Sequence, residues 1–252
     1  MKLLKHIITT AALLYFLVGV LLLILQRDFL YFPSDEINHN YTIHKLVSGN
    51  AELNIIVLNP GKNSAILYFG GNAESTVRNA NNFIELFPEH TIYLNNYRGY
   101  GGSSGKPTEE HLYKDSQLIY DSFCVNHEQC SVIGRSLGTG VATYLASNRK
   151  INKMVLITPY DSIESIAQEQ YPIFPLSLML KDKYDSISRV NNINSKTLII
   201  LAEHDNVIPL KHSKLLINAF NPNLISVSVI KNTGHNNISN TSKYFELLQD
   251  FL

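Results

Sequence analysis

The chain has 252 residues, with 21 lysines and arginines balanced by 21 aspartates and glutamates, and 45% of its residues are hydrophobic. That length suits a single domain of the larger α/β kind, and the even charge balance excludes the basic footprint of a nucleic-acid-binding protein. Two cysteines, Cys124 and Cys130, exclude a disulfide-rich scaffold and a four-cysteine zinc site.

Taken in chain order, residues 7–25 are apolar apart from Thr9 and Thr10, with Gly19 inside the run. As a helix this stretch is about 28 Å long, which matches the hydrocarbon core of a bilayer. The residues that follow, Gln26-Arg27-Asp28-Phe29-Leu30, lack the pair of small residues a signal peptidase cuts behind, so an uncleaved anchor over residues 1–28 is expected. The free amine, Lys2 and Lys5 precede the run, whereas Arg27 after it is offset by Asp28. This bias keeps the N-terminus cytoplasmic and puts the remainder, residues 29–252, in the periplasm or another extracytoplasmic space. Phe29, Tyr31 and Phe32 fit either an interfacial aromatic belt or packing onto the first strand.

From Tyr41 the pattern reads strand, turn at Ser48-Gly49-Asn50, strand. Short apolar runs then mark strands at residues 65–69, 91–94, 131–133, 154–157, 198–201 and 224–230. Amphipathic stretches at 75–86, 109–123, 139–148, 210–220 and 241–252 read as helices between them. Alternation of this kind predicts an α/β fold, a mostly parallel, doubly wound sheet covered on both faces and opened by an antiparallel hairpin. Residues 162–195 break the rhythm and carry Tyr171-Pro172-Ile173-Phe174-Pro175-Leu176, which we read as a short lid.

The chemistry centres on Gly134-Arg135-Ser136-Leu137-Gly138, placed between a strand and a helix. In a nucleophile elbow the serine occupies a strained turn, and glycines two positions to either side let strand and helix approach. A serine hydroxyl needs a base, and the base needs an acid to orient it. His235, in Asn232-Thr233-Gly234-His235-Asn236 after the last long strand, is the candidate base; His212 falls in a helix opened by Pro209. Asp205, in Ala202-Glu203-His204-Asp205-Asn206 past a strand's carboxyl end, is the candidate acid, with Glu203 and Asp161 as alternatives. Backbone N–H groups of Leu137 and of Asn72, in Gly70-Gly71-Asn72-Ala73, are the candidate oxyanion donors. Asn96-Tyr97-Arg98-Gly99-Tyr100-Gly101-Gly102-Ser103 fails as a phosphate-binding loop at Tyr100 and Pro107, and Arg98 is expected to pin it through charge-assisted hydrogen bonds.

These motifs resemble the α/β-hydrolase superfamily, most closely its small membrane-anchored branch related to serine aminopeptidase-like hydrolases and depalmitoylase-type proteins. The resemblance runs from Phe29 to the C-terminus. It rests on the entry at Tyr31, Gly71-Asn72-Ala73, Tyr97-Arg98-Gly99-Tyr100-Gly101, the elbow, Asp205 and Gly234-His235. It implies a serine hydrolase with the triad Ser136, Asp205 and His235, acting on an acyl ester or thioester of a small molecule, lipid or lipidated protein, with no metal or organic cofactor. Two other readings stay open: an aminopeptidase-like peptidase, for which the lid offers Glu164, Glu169, Asp182 and Asp185, and an inactive anchored binding module. Cys124 and Cys130 bracket a short loop and are candidates to pair in an oxidising compartment.

Overall fold

The computed structural model describes all 252 residues. An apolar helix, α1 (Lys2–Leu30), leads through an extended segment into the hairpin β1 (Thr42–Ser48) and β2 (Ala51–Leu58). Then come β3 (Ser64–Phe69), α2 (Ala80–Leu86), β4 (His90–Asn95), α3 (Glu109–Phe123), β5 (Gln129–Arg135), α4 (Leu137–Asn148) and β6 (Lys153–Ile157). Two short helices, α5 (Ile163–Gln170) and α6 (Leu176–Met179), precede β7 (Lys196–Ala202), α7 (Leu210–Ala219), β8 (Ile225–Ile230) and α8 (Ser242–Phe251).

The strands form one 8-stranded sheet in the order β1-β2-β4-β3-β5-β6-β7-β8. Strands β3 to β8 run parallel, while β2 meets both β1 and β4 antiparallel. The expected hairpin-led, mostly parallel sheet is therefore the one observed. Its strands alternate between two cores. Ala65, Leu67 and Phe69 of β3, with Ile199 and Leu201 of β7, face the layer that includes Leu112, Val141, Leu145 and Leu216 from α3, α4 and α7. Ile66 and Tyr68, with Leu198 and Ile200, face Phe83 of α2 and Tyr244 and Leu248 of α8. A strand buried on both faces needs apolar residues at every position, which explains the unbroken runs in the sequence.

Helix starts follow local chemistry. Thr108, Ser162 and Thr241 each accept a backbone N–H from three residues ahead and so begin α3, α5 and α8. The stretch expected to be helical from residue 75 starts instead as a 3-10 turn, Thr76–Asn79, before α2. Arg98 does pin its loop: Nε and Nη2 each donate to Asp115 of α3 at 2.7 Å, and Nη2 also donates to the Ser48 carbonyl at the hairpin turn.

At the head of the chain, α1 is 29 residues long, has a mean hydropathy of 2.7 over its most apolar window and has no buried residues. By length and composition it is able to cross a membrane. Tyr31 joins the core cluster that also takes in Leu53 and Ile55 of β2. It is buried, and its hydroxyl bonds to Asp182 at 3.2 Å and to the Tyr184 hydroxyl at 2.9 Å. Burial first, and then the Asp182 charge, push the Tyr31 hydroxyl well above its ordinary pKa, so it remains a neutral donor.

Candidate active site

The residue that joins β5 to α4 is Ser136, with φ 48° and ψ −116°. A non-glycine residue in that region stores about 1–3 kcal/mol of strain, tolerated where the surrounding structure fixes it. The flanking glycines are the fixing device. A Cβ on Gly134 would lie 2.5 Å from the Gly138 carbonyl oxygen, and one on Gly138 would lie 2.1 Å from the Phe69 carbonyl oxygen of β3. Gly138→Ala is therefore expected to destabilise the fold by about 3 kcal/mol and lower Tm by roughly 6–12 °C. Gly49→Ala, where an added methyl meets nothing within 4 Å, is expected to cost only about 1 kcal/mol from its left-handed backbone. Thermal melts of the two variants in detergent, followed by circular dichroism, check the contrast.

Three loops at the carboxyl ends of the parallel strands bring the predicted residues together. Ser136 Oγ lies 2.8 Å from His235 Nε2, and His235 Nδ1 lies 2.8 Å from Asp205 Oδ2. Because a carboxylate only accepts, Nδ1 carries the ring proton and donates it to Asp205. With one proton on the ring, that leaves Nε2 to accept from the serine hydroxyl. Asp205 is held in turn: its Oδ1 accepts the N–H groups of Val207 at 2.9 Å and Ile208 at 2.7 Å. The side chains of His235 and Asp205 are both buried, 7% and 2% exposed, so the pair acts in a medium where hydrogen bonds are electrostatically stronger than in water.

The two alternative acids are engaged elsewhere. Glu203 Oε2 accepts the Asn232 N–H at 2.8 Å and His204 donates its N–H to the Thr233 carbonyl at 2.8 Å. These bonds clasp the loop of the acid to the loop of the base. Asp161 Oδ1 instead pairs with His212 Nδ1 at 2.8 Å, while the other ring nitrogen pairs with Glu169 Oε2 at 2.8 Å. This buried His212 between two carboxylates was missed in the sequence, where its position in a helix argued only against a role as base. Lys211, and after it His212, hold the Glu169 carboxyl below its ordinary range by hydrogen bonding. The cluster ties α5 to α7.

Asn72 is fixed beside the serine by its side chain. Its Nδ2 donates to the Leu30 carbonyl at 2.6 Å, and its Oδ1 accepts from Phe32 N at 3.0 Å and the Tyr100 hydroxyl at 2.8 Å. The loop behind it is braced by Glu74, whose Oε2 accepts the Gly71 N–H at 2.6 Å, and by Tyr97, whose hydroxyl donates to the Gly70 carbonyl at 2.8 Å. The Asn72 N–H bonds to no protein group, and the Leu137 N–H, in the first turn of α4, is one of the donors a helix leaves without an internal partner.

Ser136, Leu137 and Asn72 all line one cavity of about 310 Å³, in which 14 of 19 lining residues are hydrophobic. Its walls include Ile166 and Leu176 from the segment read as a lid and, from a direction the sequence did not indicate, Leu22 and Phe29 of α1. Such a volume lies at the small end of the range for ligand-binding pockets.

Known proteins bear out the architecture. No family model matches the chain. An uncharacterised protein of Mycobacterium tuberculosis is 31% identical over 164 residues, covering 63% of this chain and 58% of that protein. Alpha/beta hydrolase domain-containing protein 17C of Xenopus tropicalis is 28% identical over 201 residues, 77% of this chain and 63% of that protein. The chain thus spans less than two thirds of the length of these relatives. Among solved structures, an esterase of Pyrococcus furiosus superposes with a TM-score of 0.67 at 15% identity, covering 88% of this chain and 96% of the esterase. A meta-cleavage product hydrolase of Pseudomonas fluorescens does so at 0.64 and 16%, with 82% and 96% covered. Sheet topology and these similarities together show that the chain has the α/β-hydrolase fold.

Proposed function

We propose that the chain is a membrane-anchored serine hydrolase that cleaves acyl ester or thioester bonds. The observation that carries this reading is the continuous chain of hydrogen bonds from Ser136 through His235 to Asp205 at the wall of an apolar cavity. In the acylation step His235 Nε2 takes the serine proton while Ser136 Oγ bonds to the acyl carbonyl carbon, and the carbonyl electron pair moves onto oxygen. The resulting oxyanion is stabilised by the N–H groups of Leu137 and Asn72. Collapse of the intermediate breaks the bond to the leaving alcohol or thiol, which receives the proton from the imidazolium. Water then repeats the sequence on the acyl-enzyme, with the same histidine as base, and releases the acid. Asp205 holds the ring in the correct tautomer and stabilises its charged form.

An aminopeptidase would need a carboxylate free to meet a substrate ammonium. Three of the four lid carboxylates are paired, Glu164 with Lys183, Glu169 with Lys211, and Asp182 with Arg27, and the fourth, Asp185, accepts the Ser188 N–H at 3.3 Å and does not line the cavity. This favours acyl esters and thioesters over peptides. The test is turnover by the detergent-solubilised full chain over acyl esters of graded chain length, acyl thioesters and aminoacyl amides. Hydrolysis of the first two classes is expected, and hydrolysis confined to the amides would refute the assignment.

The same proposal places α1 across the membrane, the N-terminus in the cytoplasm and the hydrolase domain outside it. Lys2 and Lys5 precede the helix core and a single basic residue, Arg27, closes the helix, an asymmetry that supports this orientation. The bridge between Cys124 and Cys130, whose Cα atoms are 5.6 Å apart, suits an oxidising space. Alkaline phosphatase fused after Leu252 is expected to be active, and a stable but inactive fusion would reverse the orientation.

A further inference from the structure

The lid segment does not stand over the sheet alone; it lies along α1. Tyr15 stacks on Phe174 with ring centroids 4.8 Å apart, and its hydroxyl donates to the Ile173 carbonyl at 2.9 Å. Gly19 faces the same phenyl ring, where a Cβ would sit 3.4 Å from it in ordinary van der Waals contact. Farther along the helix, Gln26 Nε2 donates to the Met179 carbonyl at 3.3 Å and its Oε1 accepts the Lys181 N–H at 2.7 Å. Arg27 then closes the seam on Asp182. Arg27 lies 12 residues beyond Tyr15 on the helix, so the lid follows the helix for about 18 Å. If Arg27 marks the water boundary, the stacked pair sits near the middle of a hydrocarbon core about 30 Å thick.

The composition of this strip fits that depth. Residues 171–180, Tyr-Pro-Ile-Phe-Pro-Leu-Ser-Leu-Met-Leu, contain no charge, and charges resume at Lys181, Asp182 and Lys183. Ile173 is 69% exposed and Leu178 87%, and neither lines the cavity. In water, such side chains are an unpaid hydrophobic cost; against lipid they are at home. Much of the backbone is partnered from within the protein, as a membrane demands, the N–H groups of Ile173 and Ser177 excepted. Pro172 and Pro175 bring no N–H, Gln168 Nε2 donates to the Phe174 carbonyl at 3.0 Å, Gln168 Oε1 accepts the Leu176 N–H at 3.1 Å, and Tyr15 and Gln26 cover Ile173 and Met179.

We propose that residues 171–180 are a second membrane-inserting element, sunk into the acyl-chain layer beside α1, so that the cavity at Ser136 receives its substrate chain laterally from the bilayer. This rests on the reading that α1 crosses the membrane and that the cavity is catalytic. The apolar rim fits it: Phe29, Tyr171 and Val207 all line the cavity and are 58%, 46% and 44% exposed. A chain leaving the lipid would meet apolar surface from the bilayer to the serine, without crossing water.

The chain has no tryptophan, which makes the test direct. Leu178→Trp on the lid, Leu21→Trp on α1 and Val125→Trp, in the exposed turn before the amino end of β5, are each reconstituted as full chains in phosphatidylcholine vesicles brominated midway along one acyl chain. Leu178→Trp is expected to lose its emission to the brominated lipid, less fully than the deeper Leu21→Trp, whereas Val125→Trp keeps its emission and is quenched by aqueous iodide. Quenching of Leu21→Trp alone would overturn the lid proposal and leave the membrane-crossing helix standing. Quenching of neither would remove the helix reading and the lid with it. Lateral entry is tested by Leu178→Asp. This variant is expected to retain turnover of a short, water-soluble ester but to lose about tenfold on a long-chain acyl thioester dissolved in the vesicles. Equal rates on the vesicle substrate for the variant and the parent chain would refute lateral entry. Absence of hydrolysis by the parent chain on either substrate would refute the catalytic reading, with the fluorescence result unaffected.

Discussion

Ser136→Ala is expected to reduce acyl-ester hydrolysis by at least about 10⁴-fold while leaving the fold intact. The serine has already adopted its strained φ of 48° under the constraint of its neighbours, and alanine in its place keeps the Cβ while removing only Oγ. What is lost is the nucleophile and the acceptor of the His235 bond, and no neighbouring hydroxyl is placed to substitute. Thr139 Oγ1 is committed to the Ser136 carbonyl at 2.7 Å and Tyr160 to the Leu137 carbonyl at 3.2 Å. Steady-state rates on a chromogenic ester, beside melting curves of both proteins, check this. A variant that melts like the parent and turns over at the same rate would end the proposed mechanism.

Asp205→Asn is expected to cost about 10⁴-fold in kcat, for a reason readable in the loop. The backbone N–H groups of Val207 and Ile208 both point at Oδ1, so an asparagine must place its carbonyl oxygen there. Its NH₂ group then faces His235 Nδ1 and forces that nitrogen to accept. The ring proton moves to Nε2, toward the serine, and the base is lost although every heavy atom stays in place. Asp161→Asn and Glu203→Gln are expected to change kcat by less than about tenfold, because neither touches the reacting groups. Asp161→Asn lowers stability through the buried His212 pair, and Glu203→Gln slackens the loop clasp. Rates per folded molecule, normalised by active-site titration, separate these cases. A crippling effect of Asp161→Asn at unchanged Asp205→Asn turnover would reassign the acid.

The parts of this molecule that were legible in the sequence are those governed by local rules. Gly134 and Gly138 announced the elbow because close backbone approach admits no other residue there. Ser136, Asp205 and His235 could be ordered because each follows a strand that the apolar runs made visible, and the carboxyl ends of parallel strands converge. The start of α2 was misjudged by five residues because Glu74, two residues after Asn72, spends its carboxylate on the Gly71 N–H and on the Asn79 and Tyr68 side chains. That ordering of a loop is tertiary in origin. What the sequence withheld altogether was pairing at a distance: Tyr15 with Phe174, Arg27 with Asp182, and Asp161 and Glu169 on His212. No periodicity encodes a contact 155 residues apart. The consequence for function was correspondingly hidden, since α1 reads as an anchor and is in fact also a wall of the cavity.

The most direct measurement of the central claim is covalent capture of the nucleophile. The detergent-solubilised full chain is treated with a fluorophosphonate, digested and mapped by mass spectrometry, with Ser136→Ala and His235→Ala run in parallel. The account predicts one phosphonyl adduct, on the peptide containing Ser136, absent from Ser136→Ala and formed far more slowly in His235→Ala. An adduct on another residue of the parent chain, or equal labelling of the parent and Ser136→Ala, would contradict it.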